Sequence, residues 1–184
     1  VYVDNRRLIY WPQQWRVVIE GFRQVIEQTP IAFDVIAGIE TAGIPHSAAL
    51  GYTLQVPSVF VRKQAKEHGT RSQIEGGAVE GKRVLLIEDL VTTGGSSLAG
   101  VGALREAGAI VDRCLCITSY GFGEAQAAFD EANVRLQVLA PFASIVAEAA
   151  RRGLFGDAEL TTLEDWMRDP HGWQAPGAEP SQEG

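Results

Sequence analysis

Little in this chain could staple it or anchor it. Of its 184 residues, two are cysteine, one is methionine and three are lysine. Cys114 and Cys116 stand in an apolar run, CLCITSY, that reads as a buried strand. The alternation within that run is expected to send the two thiols to opposite faces, which disfavours a shared disulfide or metal site. Free core thiols suit a reducing compartment, so the cytoplasm is the expected location. No apolar stretch approaches the ~18 residues of a membrane span, because charged residues interrupt every long one. No basic segment leads into an apolar core near the start, and no signal peptide is expected. Val1 opens the chain and Met167 is its only methionine, so the natural N-terminus is expected to lie upstream.

Positive charge is also scarce. The balance of 16 basic against 23 acidic residues leaves a net charge of −7. A general nucleic-acid binder needs cations in excess to neutralise phosphates, so that class is excluded. Yet two of the three lysines, Lys63 and Lys66, stand beside Arg62 and His68. Gathering scarce cations in one place points to a local anionic ligand.

What the chain does have is alternation. Apolar, Val- and Ile-rich runs at Asp34–Ile39, Val56–Val61, Arg83–Ile87, Val111–Ser119 and Val134–Leu139 read as strands. Several are apolar throughout, as parallel strands covered on both faces are. Between them lie helical segments at Pro12–Gln28, Ser96–Ala107 and Glu124–Ala132, with a further helix starting near His46. His46 itself reads as a cap or packing residue. The spacing predicts two more helices, Phe142–Arg152 and roughly Thr161–Met167. The fold class is therefore α/β, a mainly parallel sheet flanked by helices, in one domain spanning 1–169. In such sheets the ligand lies at the carboxyl ends of the strands. Residues 170–184, rich in Pro, Gly, Glu and Gln, read as a disordered tail. Trp11, Trp15, Trp166 and Trp173 read as core or interface residues, and Glu124, Asp130 and Glu131 as a solvated helix face.

Three motifs can be set aside. Gly76–Lys82 (GGAVEGK) has the spacing of a P-loop, but Arg83 replaces the hydroxyl residue and a strand follows instead of a helix. No G-x-G-x-x-G is present. Around Ser96 and Ser97, Leu98 occupies the last glycine position of a nucleophile elbow.

Val84–Ser97, VLLIEDLVTTGGSS, is the informative segment. Four apolar strand residues deliver Glu88 and Asp89, and a turn of Thr92, Thr93, Gly94, Gly95, Ser96 and Ser97 then opens a helix. Small residues allow close backbone approach, hydroxyls donate hydrogen bonds, and a helix N-terminus favours an anion. Adjacent carboxylates suit ribose hydroxyls or a magnesium-bound group. A phosphorylated sugar has both features.

This segment resembles the phosphoribosyl pyrophosphate (PRPP) signature of type I phosphoribosyltransferases. Three further segments resemble the orotate branch of that family: Arg62–Gly69 (RKQAKEHG) its mobile catalytic loop, Ile36–Pro45 (IAGIETAGIP) its pyrophosphate loop, and Tyr2–Arg6 (YVDNR) the entry to its substrate hood. The resemblance covers about Tyr2–Leu139, with residues 1–11 as a truncated hood. It implies the type I phosphoribosyltransferase fold and transfer of the phosphoribosyl group from PRPP to orotate. It also implies Mg²⁺ held mainly by PRPP and water, and a homodimer with shared active sites. Lys66, His68, Glu88 and Asp89 are then the catalytic candidates. Glu88 and Asp89 would hold the ribose hydroxyls. Leu90, Val91, Thr92, Thr93, Gly94, Gly95 and Ser96 would cradle the 5′-phosphate. Glu40, Thr41, Ala42 and Gly43 would face the pyrophosphate, with Arg62, Lys63, Lys66 and His68 closing over it. Thr92, Tyr120, Tyr2 and Arg6 are the candidates for the base.

The chain departs from the family pattern at two positions. Ala42 stands where the pyrophosphate loop often carries lysine, and Tyr120 where an arginine usually helps to bind orotate. Two rival readings follow: transfer to another base, and a regulatory module that binds PRPP without turnover. RKQAKEHG speaks against the second, since a binding module has no need of a mobile catalytic loop.

Overall fold

The computed structural model describes residues 1–63 and 73–174. They belong to two compact units, Val3–Phe142 and Ala143–Gly184 together with Val1–Tyr2.

The larger unit opens with a short 3-10 helix, Asn5–Tyr10, and α1, Pro12–Gln28, in which Pro12 takes the first turn. Then come β1 (Val35–Ile39), α2 (Gly43–Leu54), β2 (Ser58–Val61), β3 (Ile74–Glu75), β4 (Arg83–Val91), α3 (Gly95–Glu106), β5 (Ile110–Ser119), α4 (Gly123–Glu131) and β6 (Arg135–Val138). The strands form one sheet in the order β3-β2-β1-β4-β5-β6. Every neighbouring pair is parallel except β2 and β3.

The apolar runs without alternation are explained by two cores. On one face Val35, Ala37, Ile39, Leu86, Cys114 and Cys116 pack with Val101 and Leu104 of α3 and with Ala125 and Phe129 of α4. On the other, Ile36, Leu85, Ile87, Leu115 and Ile117 meet Ile19 and Phe22 of α1 and Leu50 of α2. Cys114 and Cys116 thus share a face, contrary to the expectation above. Side chains alternate with a period of two, so residues two apart point the same way and Leu115 between them points the other. Both thiols are free and buried, and burial pushes both of them up.

Two elements differ from the spacing-based expectation in ways that shape the site. β4 runs on through Val91, because β5 lies alongside as far as Ser119 and pairs Leu90 with Thr118 and Val91 with Ser119. The two-residue β3 was not expected; it forms because Ile74 and Glu75 return antiparallel to Val61 and Phe60.

In the smaller unit, α5 (Phe142–Arg151) continues from Ala143, and α6 spans Asp157–Arg168, beginning four residues before the expected Thr161. The Gly156 N–H donates to the Glu159 carboxylate at 2.9 Å, and acidic Asp157 and Glu159 occupy the positive end of the helix dipole. Among the described residues no helix is long and apolar enough to cross a membrane.

Candidate active site

β4 carries the acids to the sheet's carboxyl edge on opposite faces. Glu88 is 5% exposed and lies beneath α3. Its Oε2 accepts the Ser97 hydroxyl at 3.1 Å and its Oε1 the Asp89 N–H at 3.1 Å. Burial first, and the Asp89 charge second, raise its carboxyl from 4.5 to about 8. Asp89 is half-buried, and burial raises its carboxyl too, against the pull of neighbouring N–H groups and the Arg6 charge.

The turn that follows is open. Thr92, Thr93, Gly95 and Ser96 are exposed, while Gly94 is buried with φ +87°. A side chain at Gly94 would sit 2.9 Å from the Phe129 ring, so both conformation and packing require glycine. The first N–H groups of α3 have no acceptor within the helix and face the turn, a ready anion site. Leu90 and Val91 belong to the paired strand, and Val91 is 1% exposed, so the open cradle begins at Thr92.

Beside β4, β1 leads into Glu40–Gly43, whose Glu40–Thr41 peptide is cis. Two glycines let this loop lie flat on the sheet edge. A Cβ on Gly38 would be 2.6 Å from the Gly43 carbonyl, and one on Gly43 would be 2.7 Å from that of Ile87. Thr41 is exposed and Ala42 half-buried. The Glu40 N–H donates to the Val61 carbonyl at 2.9 Å, and its carboxylate accepts the Lys63 N–H at 2.8 Å. Glu40 therefore ties this loop to the end of β2 and the residues just past it.

The two stretches of chain that flank residues 64–72 form a built stem. The Arg62 N–H donates to the Gln73 carbonyl at 2.8 Å, and the Gln73 amide returns to the carbonyls of Arg62 at 3.2 Å and Lys63 at 3.4 Å. Arg62 also pairs with Glu75 at 3.5 Å. Lys66 and His68 lie outside the described residues. Between this stem and the start of α3 is a cavity of about 320 Å³, with Arg62, Lys63 and Ser96 on its polar side and Ile39, Val61 and Gly100 on its apolar side.

Adjacent strand ends thus bring together Glu40–Gly43, Arg62, Lys63, Glu88, Asp89 and Thr92–Ser96, with Tyr120 at the end of β5. The Arg6 guanidinium pairs with Asp4 at 2.7 Å. Tyr2 is 65% exposed and belongs to the smaller unit. Sequence reasoning passed over Ser97 as a partner of Glu88. It also passed over Asn5, which is buried and donates its side-chain amide to the Asp89 carbonyl at 2.8 Å. Asn5 and Asp89 are 84 residues apart, and no local pattern joins them. His46 is fully buried, accepts the Trp15 indole N–H at 2.9 Å, and is lowered by burial from 6.5 to about 4. It is a packing residue.

Among the described residues no group of three or more His, Cys, Asp or Glu could enclose a metal. One half-buried carboxylate beside a hydroxyl-lined turn fits an ion held mainly by substrate phosphates and water.

A parallel sheet whose strand delivers paired acids into a Thr-Gly-Ser turn is the frame of a phosphoribosyl transferase domain, and residues 7–139 match the model of that domain. The chain belongs to the orotate phosphoribosyltransferase family: it is 41% identical over 174 residues to the enzyme of that name from Coxiella burnetii, covering 95% of this chain and 83% of the relative. The crystal structure of orotate phosphoribosyltransferase from Aeropyrum pernix superposes with a TM-score of 0.73 at 32% identity, covering 84% of this chain and 85% of that one. The Mycobacterium tuberculosis orotate phosphoribosyltransferase in complex with PRPP superposes with a TM-score of 0.66 at 26% identity, covering 78% and 82%.

Proposed function

We propose that the protein transfers the 5-phosphoribosyl group from PRPP to orotate, giving orotidine 5′-monophosphate and pyrophosphate, as a Mg²⁺-dependent cytoplasmic homodimer. The observation that carries this is the β4–turn–α3 unit: half-buried Asp89, open Thr92–Ser96 and the N-terminus of α3 in one stretch of chain, within a relative-rich orotate family.

In this reading the α3 N-terminus and the Thr92, Thr93 and Ser96 hydroxyls hold the 5′-phosphate. Asp89 takes the ribose hydroxyls because its carboxyl is the more open of the pair. Glu88, tied to Ser97, stands behind it and fixes the strand end to the helix. Backbone donors of Thr41–Gly43 face the pyrophosphate, and Arg62 and Lys63 stand at the root of the loop that carries Lys66 and His68. In the reaction the C1–oxygen bond to pyrophosphate breaks, the leaving group keeps the electron pair, and a ring nitrogen of the base bonds to C1 as its proton passes to the departing pyrophosphate or to water. Negative charge grows on the pyrophosphate, and a positioned cation such as Lys66 there is worth ~3–4 kcal/mol, or about 10²–10³ in rate. Magnesium supplies further charge neutralisation when bound.

Two buried free thiols support a reducing compartment. Exposed Ile9, Tyr10, Trp11 and Val17, close together in sequence, support an interface with a second copy. The test is pyrophosphate release from PRPP with orotate and Mg²⁺. Release that requires orotate is expected; its absence removes the assignment.

A further inference from the structure

A short segment ahead of the first α-helix is stitched to two distant strand ends. The Val3 N–H donates to the Tyr120 phenol oxygen at 3.1 Å. Two residues on, the Asn5 side-chain amide donates to the main-chain carbonyl of Asp89 at 2.8 Å. Asn5 is 8% exposed, deep for an asparagine, so this bond is shielded from competing water. The Tyr120 ring is itself held in place. Phe122 stacks on it at 5.6 Å and 16°, Phe142 meets it edge-on at 5.1 Å, and the Tyr120 main-chain N–H donates to the Val91 carbonyl at 3.3 Å. Between the two anchors, Asp4 pairs with Arg6, and the Arg6 charge acts on the Asp89 carboxyl.

We propose that Val3–Arg6 is a strap across the carboxyl ends of β4 and β5, and that Asn5 and Tyr120 are the positioning residues that pin it and so set Arg6 over the base side of the site. This rests on the phosphoribosyl-transfer reading above. Tyr120 then acts through its acceptor oxygen, which fixes the height of the strap, and the cation for an anionic base comes from the strap. Two anchors on different strands give the segment one register, where either alone would leave it free to pivot.

Tyr120→Phe keeps the ring stack and removes the acceptor; Asn5→Ala removes the donor. In the full-length protein each is expected to raise KM for orotate about three- to tenfold, the size of one lost hydrogen bond. KM for PRPP should stay within about twofold and kcat should hardly move, the split expected when only binding of the base is lost. Because both residues act through one strap, the double variant should raise KM for orotate by clearly less than the product of the two single effects. Fully additive effects, the result for a Tyr120 hydroxyl that touches the base itself, overturn the proposal. Hydrogen exchange of the main-chain amides of residues 3–10, without substrates, should quicken in both single variants. Unchanged exchange in both overturns the strap whatever the turnover. A wild-type protein that does not turn over orotate removes the transfer reading, and the exchange result still decides whether the strap exists.

Discussion

Glu88 and His46 set opposite limits on the pH range in which this protein is stable. The Glu88 carboxyl is raised from 4.5 to about 8, so the folded protein binds that proton more tightly than the unfolded chain. Its contribution is fully present below pH 4.5 and is lost as the pH rises through about 8. His46, lowered from 6.5 to about 4, works the other way: stability is present above 6.5 and lost as the pH falls towards 4. Glu88→Gln keeps a partner for Ser97 and removes the titration. It should flatten the decline between pH 4.5 and about 8 seen in denaturant melts. At the upper end it should be the more stable protein by up to about 2–4 kcal/mol. A variant profile parallel to that of the wild type contradicts the buried proton. The acids and the turn were legible because they are contiguous in Val84–Ser97, where residue type and order carry the chemistry. Asn5 was not, since its role exists only once the chain has brought residue 5 to residue 89. Cys114 and Cys116 share a face for a reason internal to the strand, since residues two apart in β5 point the same way.

α1 was legible to its ends because apolar residues recur at helical spacing and Pro12 marks its start. α2 was seen only as a beginning, for it packs against β1, β2, β4 and α1 and lacks a clean polar face. β3 was invisible: two residues carry no period, and their strand character comes from pairing with β2. The acid-bearing end of β4 likewise depends on β5 for its length. What holds the α2 start to the sheet is an absence of side chains. A Cβ at Gly38 would lie 2.3 Å from the Ser47 hydroxyl and 2.6 Å from the Gly43 carbonyl. Backbone cannot yield there as a flexible side chain could, so Gly38→Ala should cost about 2–3 kcal/mol and lower Tm by roughly 5–10 °C. Gly102, inside α3, has nothing within 4 Å of an added Cβ. Gly102→Ala should stabilise by about 0.5–1 kcal/mol, because alanine loses less backbone freedom on entering a helix. A Gly38→Ala protein that melts with the wild type, or a Gly102→Ala protein that melts below it, contradicts this packing.

Across the whole molecule, a net charge of −7 coexists with cations gathered at one edge of the sheet, Arg62 and Lys63 at the loop root and Arg6 beside Asp89. A protein of this charge needs a localised reason to bind an anion, and the open turn at α3 supplies it. If subunits share sites, mixing an inactive Lys66→Ala protein with an inactive Asp89→Asn protein should restore part of the activity, since a mixed dimer can combine one intact loop with one intact turn. No recovery, with subunit exchange demonstrated by mass, contradicts shared sites. The most direct test of the account is kcat/KM, with PRPP and Mg²⁺ at saturation, for orotate against uracil, adenine and hypoxanthine. The account predicts that orotate is preferred by at least about 10²-fold, because a site whose strap pairs a cation with a charged base leaves that cation unpaired with any other. Ready consumption of PRPP with one of the other bases, and none with orotate, would contradict it.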